Sequence, residues 1–208
     1  MPAVPPAPEF GQATPFGQVS EQTLTLLALR RSATPQALVA PAPSGQALKD
    51  LLRLAARVPD HGKLAPWRFI VLEGAAKTEL AARLEGLAAE QPDPAKASKT
   101  LFKLRGPPLC VAVISRVDAQ ASIPVWEQEL SAGACCMTLV LAATAMGFGA
   151  NWITDWYAFD SKVDALLGLR LGEKVAGYVH IGTAEEAPLE RVRPDLAAIT
   201  TRWEGEGG

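Results

Sequence analysis

The stretch Arg57-Val58-Pro59-Asp60-His61-Gly62-Lys63-Leu64-Ala65-Pro66-Trp67-Arg68-Phe69 decides how the chain is read, because it sets a proline-fixed turn, several hydrogen-bond donors and an aromatic entry into a strand side by side. Pro59 fixes φ and disfavours helical backbone at Val58, so a preceding helix has to stop there. The segment after the turn, Trp67 to Leu72, is rich in β-formers, with apolar residues pointing to both faces. That pattern predicts a central strand. Rigid loops at the end of a strand are where binding groups gather, which makes Arg57, His61 and Lys63 candidates. From the residues alone a plainer reading stays open, in which Lys63 is solvated and His61 merely caps the turn.

Outward from this stretch, Ser44 caps a segment whose Leu48, Leu51, Leu52 and Ala55 recur at helical spacing, an amphipathic helix that stops before Pro59. Upstream of it, Glu21 to about Ser32 places Leu24 and Leu27 on one face of a first helix, started by Ser20. Downstream, a helix from Ala75 to about Glu90 is broken by Gln91-Pro92-Asp93-Pro94. Leu109 to Ser115 reads as an apolar strand, Trp126 to Met146 as a long helix and Gly149 to Ile153 as a short strand. Asp160 to Leu167 is helical, and Lys174 to Ile181 is the last strand. Strands alternating with more numerous helices predict an α+β fold, a small sheet covered by helices. Residues 21–200 are expected to form one domain. Residues 1–20, with five prolines and almost no charge, are expected to be a flexible arm, and residues 201–208 a flexible tail.

A net charge of -2, with 20 Lys and Arg spread along the chain, leaves no electrostatic footprint for a nucleic acid. The cysteines, Cys110, Cys135 and Cys136, are odd in number and two are adjacent, a usage that suits a reducing compartment. No basic segment followed by an apolar run opens the chain, so a cytoplasmic location is expected. Leu130 to Thr154 carries no charge and is long enough to cross a bilayer. Ser131, Gly133, Thr138, Thr144, Gly147, Gly149 and Asn151 interrupt it, and no basic cluster flanks it, which favours a buried helix and no membrane partner.

Arg30-Arg31-Ser32 supplies two guanidinium forks and a hydroxyl, donors suited to a phosphate monoester, although two arginines also suit a helix C-terminus with no ligand. His180 sits in an alternating strand and is expected to be a packed histidine. Gly147-Phe148-Gly149 begins like a dinucleotide fingerprint, but Trp152 stands at the third glycine position and the segment follows a helix. Two histidines and three cysteines show no metal-ligand spacing, so no metal is expected. There is no G-x-S-x-G elbow.

As an ordered set, Arg30-Arg31-Ser32, the Pro59-Asp60-His61-Gly62-Lys63 turn entering Pro66-Trp67-Arg68-Phe69, the Met146-Gly147-Phe148-Gly149-Ala150-Asn151-Trp152 helix end and the Gly177-to-Thr183 strand resemble the nitroreductase superfamily. With Trp126-Glu127-Gln128-Glu129, the wording is closest to its small YdjA-like branch, and the likeness runs from about Glu21 to Pro194. The resemblance implies a small, mainly antiparallel sheet covered by helices, in an entwined homodimer with FMN held at the subunit interface. It assigns the FMN phosphate and ribityl side to Arg30, Arg31 and Ser32, with Arg191 or Arg193 completing the clamp. Arg57 and His61 would approach the flavin, and Lys63 stands where many members have Asn. Trp152, Ile153 and Thr154 would line the isoalloxazine from the other subunit. Ala142, Ala143, Thr144, Ala145, Met146 and Gly147 would lie near the nicotinamide nucleotide.

The activity implied is ping-pong hydride transfer from NADH or NADPH, through the flavin, to a nitroaromatic, quinone or related small electrophile. Two alternatives stand beside it: a flavoenzyme of the same fold with other chemistry, such as reductive dehalogenation or flavin fragmentation, and a non-catalytic flavin-binding protein.

Overall fold

A computed structural model of the chain describes residues 3–15 and 17–205. Met1, Pro2 and Phe16 of the expected arm, and residues 206–208 of the expected tail, lie outside the described residues. Ser20 caps α1 (Glu21–Leu29), its hydroxyl accepting from the Thr23 amide at 3.3 Å. This helix ends earlier than the Ser32 expected from its pattern. Arg30 adopts extended backbone, and the Ala33 amide then donates to the Ala150 carbonyl at 3.1 Å, drawing the chain onto the sheet. After β1 (Leu38–Val39) and α2 (Gly45–Ala55) come β2 (Trp67–Glu73) and α3 (Gly74–Ala88). The break at Gln91 to Pro94 is also the start of an unforeseen helix, α4 (Pro94–Thr100), with Asp93 accepting from the Lys96 amide and Pro94 in the first turn. The remaining elements are α5 (Phe102–Arg105), β3 (Leu109–Arg116), α6 (Val125–Ala145), β4 (Gly149–Ile153), α7 (Ser161–Leu166) and β5 (Glu173–Ala184).

The sheet runs β2-β3-β5, and the far edge of β5 is shared end to end by β4, opposite Tyr178 to Gly182, and β1, opposite Thr183 and Ala184. Every pairing among the described strands is antiparallel. β2 therefore lies at the edge of the sheet, contrary to the central position its apolar pattern predicts. Helices cover both of its faces. Ile70 and Leu72 belong to the core under α3, whereas Trp67, Phe69 and Val71 pack towards α2 and α6. Its packing on both faces, with Leu72 buried and Trp67 to Val71 half-buried, thus comes from the layers above and below, which a linear pattern does not distinguish from a neighbour on each side. The central strand is β3, buried from Leu109 to Ser115.

Two cores flank the sheet. Leu84, Leu101, Leu104, Ile114 and the edge-to-face pair Tyr157–Tyr178, 4.9 Å between centroids, fill the side under α3, α4 and α5. Leu51, Val111, Cys135, Leu139, Val179 and Ile181 fill the side under α2 and α6. Each fully buried side chain of this size contributes about 1.5–3 kcal/mol. α6 is long and apolar enough to cross a membrane, but here it packs against α2 and the sheet with Ala132, Cys135, Cys136, Leu139 and Ala143 fully buried, as expected of a core helix.

Candidate active site

The polar positions of α6 are not interruptions of a core helix. They fasten the decisive turn to its N-terminal half. The Trp67 indole donates to Ser131 Oγ at 3.1 Å, and Ser131 Oγ donates in turn to the Pro59 carbonyl at 2.6 Å. Buried Gln128 accepts from the Asp118 amide and donates to the Asp118 and Ile123 carbonyls, holding the loop before α6. Inside the turn, both Asp60 carboxylate oxygens accept backbone amides, from Leu64 and Ala65, each at 3.0 Å. The backbone is left-handed at Gly62, Lys63 and Ala65, and two of these carry a Cβ, a strain that persists only where surroundings over-determine it. His61 and Lys63 are exposed on this turn, as is Arg57 before it. His61 Nδ1 lies 2.8 Å from Glu127 Oε2 in the first turn of α6.

At the other end of α6, Arg30 and Arg31 meet Thr144, Gly147 and Phe148 around a cavity of about 490 Å³. Ala33 is buried beside it, held by its amide on Ala150 and by the Asn151 side chain, which donates to its carbonyl. Arg31 donates to the Leu189 carbonyl at 3.0 Å and stands 3.7 Å from Glu190, which also pairs with Arg193 at 3.0 Å. The Arg191 amide, Arg193 and Arg31 together hold the Glu190 carboxyl below the usual carboxylate range. No side-chain hydrogen bond of Arg30, Ser32 or Arg57 occurs among the described residues.

The sequence-derived site residues therefore fall into groups. Arg30 and Arg31 line the cavity at the C-terminal end of α6, Ser32 follows them in the chain, and Arg193 and Arg191 reach Arg31 through Glu190. His61 and Lys63 sit at its N-terminal end. From Glu127 to Thr144 a helix rises 1.5 Å per residue, so the two groups stand roughly 25 Å apart within one chain. Trp152 lies between them on β4, 39% exposed, its indole over Gly177 and donating to the Ala176 carbonyl at 3.4 Å. Ile153 is half-buried and Thr154 exposed. Of the nicotinamide-proximal candidates, Thr144 and Gly147 line the cavity and Ala145 is exposed, whereas Ala142, Ala143 and Met146 are buried in the core.

Glu127, Asp60, Ser131 and Glu190 join the candidate site through contacts that sequence reasoning missed. The Trp126-Glu127-Gln128-Glu129 run was a signal, but its partner His61 is 66 residues away and nothing local ties the two. His180 is fully buried, and burial pushes its pKa down to about 3, so it stays a neutral core residue. Gly147 closes α6 with φ 88 before β4, a helix-to-strand turn with no dinucleotide loop. The three cysteines are free and buried.

The chain matches the model of the nitroreductase family over residues 29–183. It is 37% identical over 166 residues to the Escherichia coli (strain K12) protein named "Putative NAD(P)H nitroreductase YdjA", covering 78% of this chain and 88% of that one. A similarly described Haemophilus influenzae protein is 36% identical over 181 residues, 86% and 95% of the two chains. Among solved structures, a nitroreductase-like family protein from Bacillus cereus superposes with a TM-score of 0.77 at 22% identity, covering 93% of this chain and all 100% of that one. A Bacteroides fragilis nitroreductase with bound FMN superposes with a TM-score of 0.66 at 23% identity, over 88% of this chain and 100% of that one. With the fold, the ordered motifs and these relatives in agreement, the chain belongs to the nitroreductase family.

Proposed function

We propose that the chain is an FMN-dependent NAD(P)H oxidoreductase that reduces nitroaromatic, quinone or related small electrophiles as a homodimer. The observation that carries this reading is the cavity where Arg30 and Arg31 meet the end of α6. Its two guanidiniums and its small apolar floor suit a phosphate with a ribityl chain. When bound, FMN supplies hydride acceptance and donation at its ring. Arg30, Arg31 and Ser32 hold the phosphate side, and Arg193 adds a third cation once Glu190 gives way. A cation such as Lys63 or Arg57 near the ring edge stabilises the negative charge that accumulates there.

The separation of the turn from the cavity supports a site shared by two copies, because one chain's turn does not reach its own Arg30 and Arg31. Uncovered apolar surface supports the same partner. α1 buries no residue and leaves Leu24, Leu27 and Leu29 exposed. Trp126 and Leu130 on α6, and Leu189, Val192, Leu196, Ile199 and Trp203 on the C-terminal segment, are exposed as well. On this reading residues 21–200 are one flavin-binding domain in a cytoplasmic enzyme.

Anaerobic addition of NADH to purified, yellow protein tests the proposal. Bleaching, followed by reoxidation with a quinone, is the expected result. A yellow protein that does not bleach is a flavin binder only, and sedimentation of a flavin-saturated monomer would sink the shared site.

A further inference from the structure

We infer that His61 donates a proton to the electron acceptor and that Glu127 is the residue that positions it. This rests on the flavin reading above, since the acceptor takes its hydride from the cofactor. His61 is exposed on a turn roughly 25 Å from the Arg30 and Arg31 cavity of its own chain, so on that reading it faces a cofactor held by a second copy.

The turn does not need the His61–Glu127 pair to close. Asp60 caps its backbone, Ser131 anchors Pro59, and Trp67 ties the following strand to α6. The carboxylate instead does something specific to the imidazole. Glu127 Oε2 accepts at 2.8 Å, so Nδ1 carries the hydrogen and the ring plane is fixed. Nε2 is left without a protein partner among the described residues, on a side chain 65% exposed. One nitrogen is thus held, and the other is open to solvent.

The chemistry needs such a group. Reducing a quinone to a hydroquinone takes two electrons and two protons, delivered as one hydride and one proton. The acceptor takes the hydride from the cofactor, and its developing oxyanion takes the proton from Nε2–H of the imidazolium. The O–H bond forms as the N–H bond breaks, the imidazole is left neutral, and water reprotonates it. Imidazole is the side chain whose ordinary proton exchange falls near neutral pH. The chain's other histidine, His180, is sealed in the core and held neutral. The charged groups on the turn and on the elements packed against it are Glu127 on α6, which faces His61, Asp60 and Lys63 on the turn itself, Arg116 at the end of β3, whose guanidinium reaches the Ala65 carbonyl, and Asp118 in the loop before α6.

Two measurements test the assignment. In stopped flow, NADH-reduced, flavin-loaded enzyme meets p-benzoquinone across the neutral pH range, with rates taken per bound flavin. His61→Gln, whose amide still donates to Glu127, is expected to slow this half-reaction about 100-fold and to flatten its pH profile. Glu127→Gln is expected to slow it less while leaving a histidine-dependent profile. Independently of turnover, nitrogen NMR of flavin-free protein reads the imidazole tautomers, and with 2 histidines, one of them buried, the signals are separable. His61 is expected as the Nδ1–H tautomer in the parent chain and shifted towards Nε2–H in Glu127→Gln. Unchanged quinone rates in His61→Gln, or a tautomer indifferent to Glu127→Gln, would overturn the inference alone. Protein that binds no FMN, or does not bleach with NADH, would overturn the flavin reading with it.

Discussion

Replacing Arg68 by Met would remove the ion pair that ties the edge strand to the rest of the sheet. Arg68 Nε and Nη2 donate to Glu173 Oε1 and Oε2 at 2.8 and 2.7 Å, a bidentate contact across β3. The Glu173 side chain is only 6% exposed and that of Arg68 30%, so the carboxylate is the buried partner. In Arg68→Met it keeps the Arg170 amide, at 2.9 Å, and the weaker pull of the Arg170 charge, but no side-chain donor. Breaking a buried pair from one side costs about 3–5 kcal/mol, and the open Arg68 end puts this one near 3 kcal/mol. For a chain of this size that lowers Tm by roughly 6–12 °C. The hydrogen bonds from Arg68, more than its charge, hold the Glu173 pKa at about 2 against an ordinary 4.5. A depressed carboxylate pKa contributes stability above the unfolded value and loses it as pH falls through the folded one. The parent chain should therefore lose about 2 kcal/mol between roughly pH 4.5 and pH 2, after allowance for screening at the exposed end. Urea unfolding followed by circular dichroism, repeated down the acid range, reads both effects. Arg68→Met should start lower and lose less with acid, and adding Glu173→Gln should recover about 1 kcal/mol or more. A single variant within about 0.5 kcal/mol of the parent, or a double variant no better than the single, would refute the reasoning.

Arg30→Ala with Arg31→Ala should weaken FMN binding by at least about 100-fold, since each charge-assisted bond is worth about 1.5–3 kcal/mol; fluorescence titration checks this, and unchanged affinity removes the phosphate assignment. Glu190→Gln frees Arg31 and Arg193 from a competing carboxylate, and the same titration should show FMN bound about threefold tighter. Gly177→Ala would place a Cβ 1.9 Å from Trp152 Nε1, so the indole must swing away. Its fluorescence should change and flavin binding should drop, while a variant with native emission would show that Trp152 does not need this seat. NADH and NADPH should reduce the flavin with efficiencies within about tenfold, equivalent to about 1.4 kcal/mol, because the cavity lining contains no carboxylate to read a ribose hydroxyl; a thousandfold preference in stopped flow would reveal an adenosine site elsewhere.

Local periodicity made part of the fold legible in the sequence. α2, α3, α6, β3 and β5 are where the apolar spacing puts them, because each buries a stripe or a face fixed by its own residues. Strand order was not legible. Whether Trp67 to Leu72 sits at the centre or the edge depends on which segments cover it, and α3 and α6 lie on opposite sides in space, not in sequence. β1 escaped because two residues carry no period, and α4 because Pro94 reads equally well as a stop or as a first turn. The same limit applies to the site. Arg30, Arg31, His61 and Lys63 stood out by type and crowding, but Glu127 and Glu190 gain meaning only from partners 66 and 159 residues away.

The long helix makes the two halves of the site interdependent without bringing them together. Ser131 anchors the turn, Gln128 the loop beside it and Glu127 the His61 ring at one end of α6, and Thr144 and Gly147 shape the cavity roughly 25 Å away at the other, a length fixed by helical rise. On the proposed reading, a flavin held in one copy's cavity meets the turn of the next, so each copy supplies both halves, but to different cofactors. Flavin binding and dimer formation are then linked by mass action: FMN that binds only the dimer stabilises it, and dilution should weaken FMN binding in step with dissociation. A site confined to one chain would show no such concentration dependence. Titrating FMN at protein concentrations well above and well below the dimer dissociation constant separates the two, and equal affinities at both would place the whole site within a single copy.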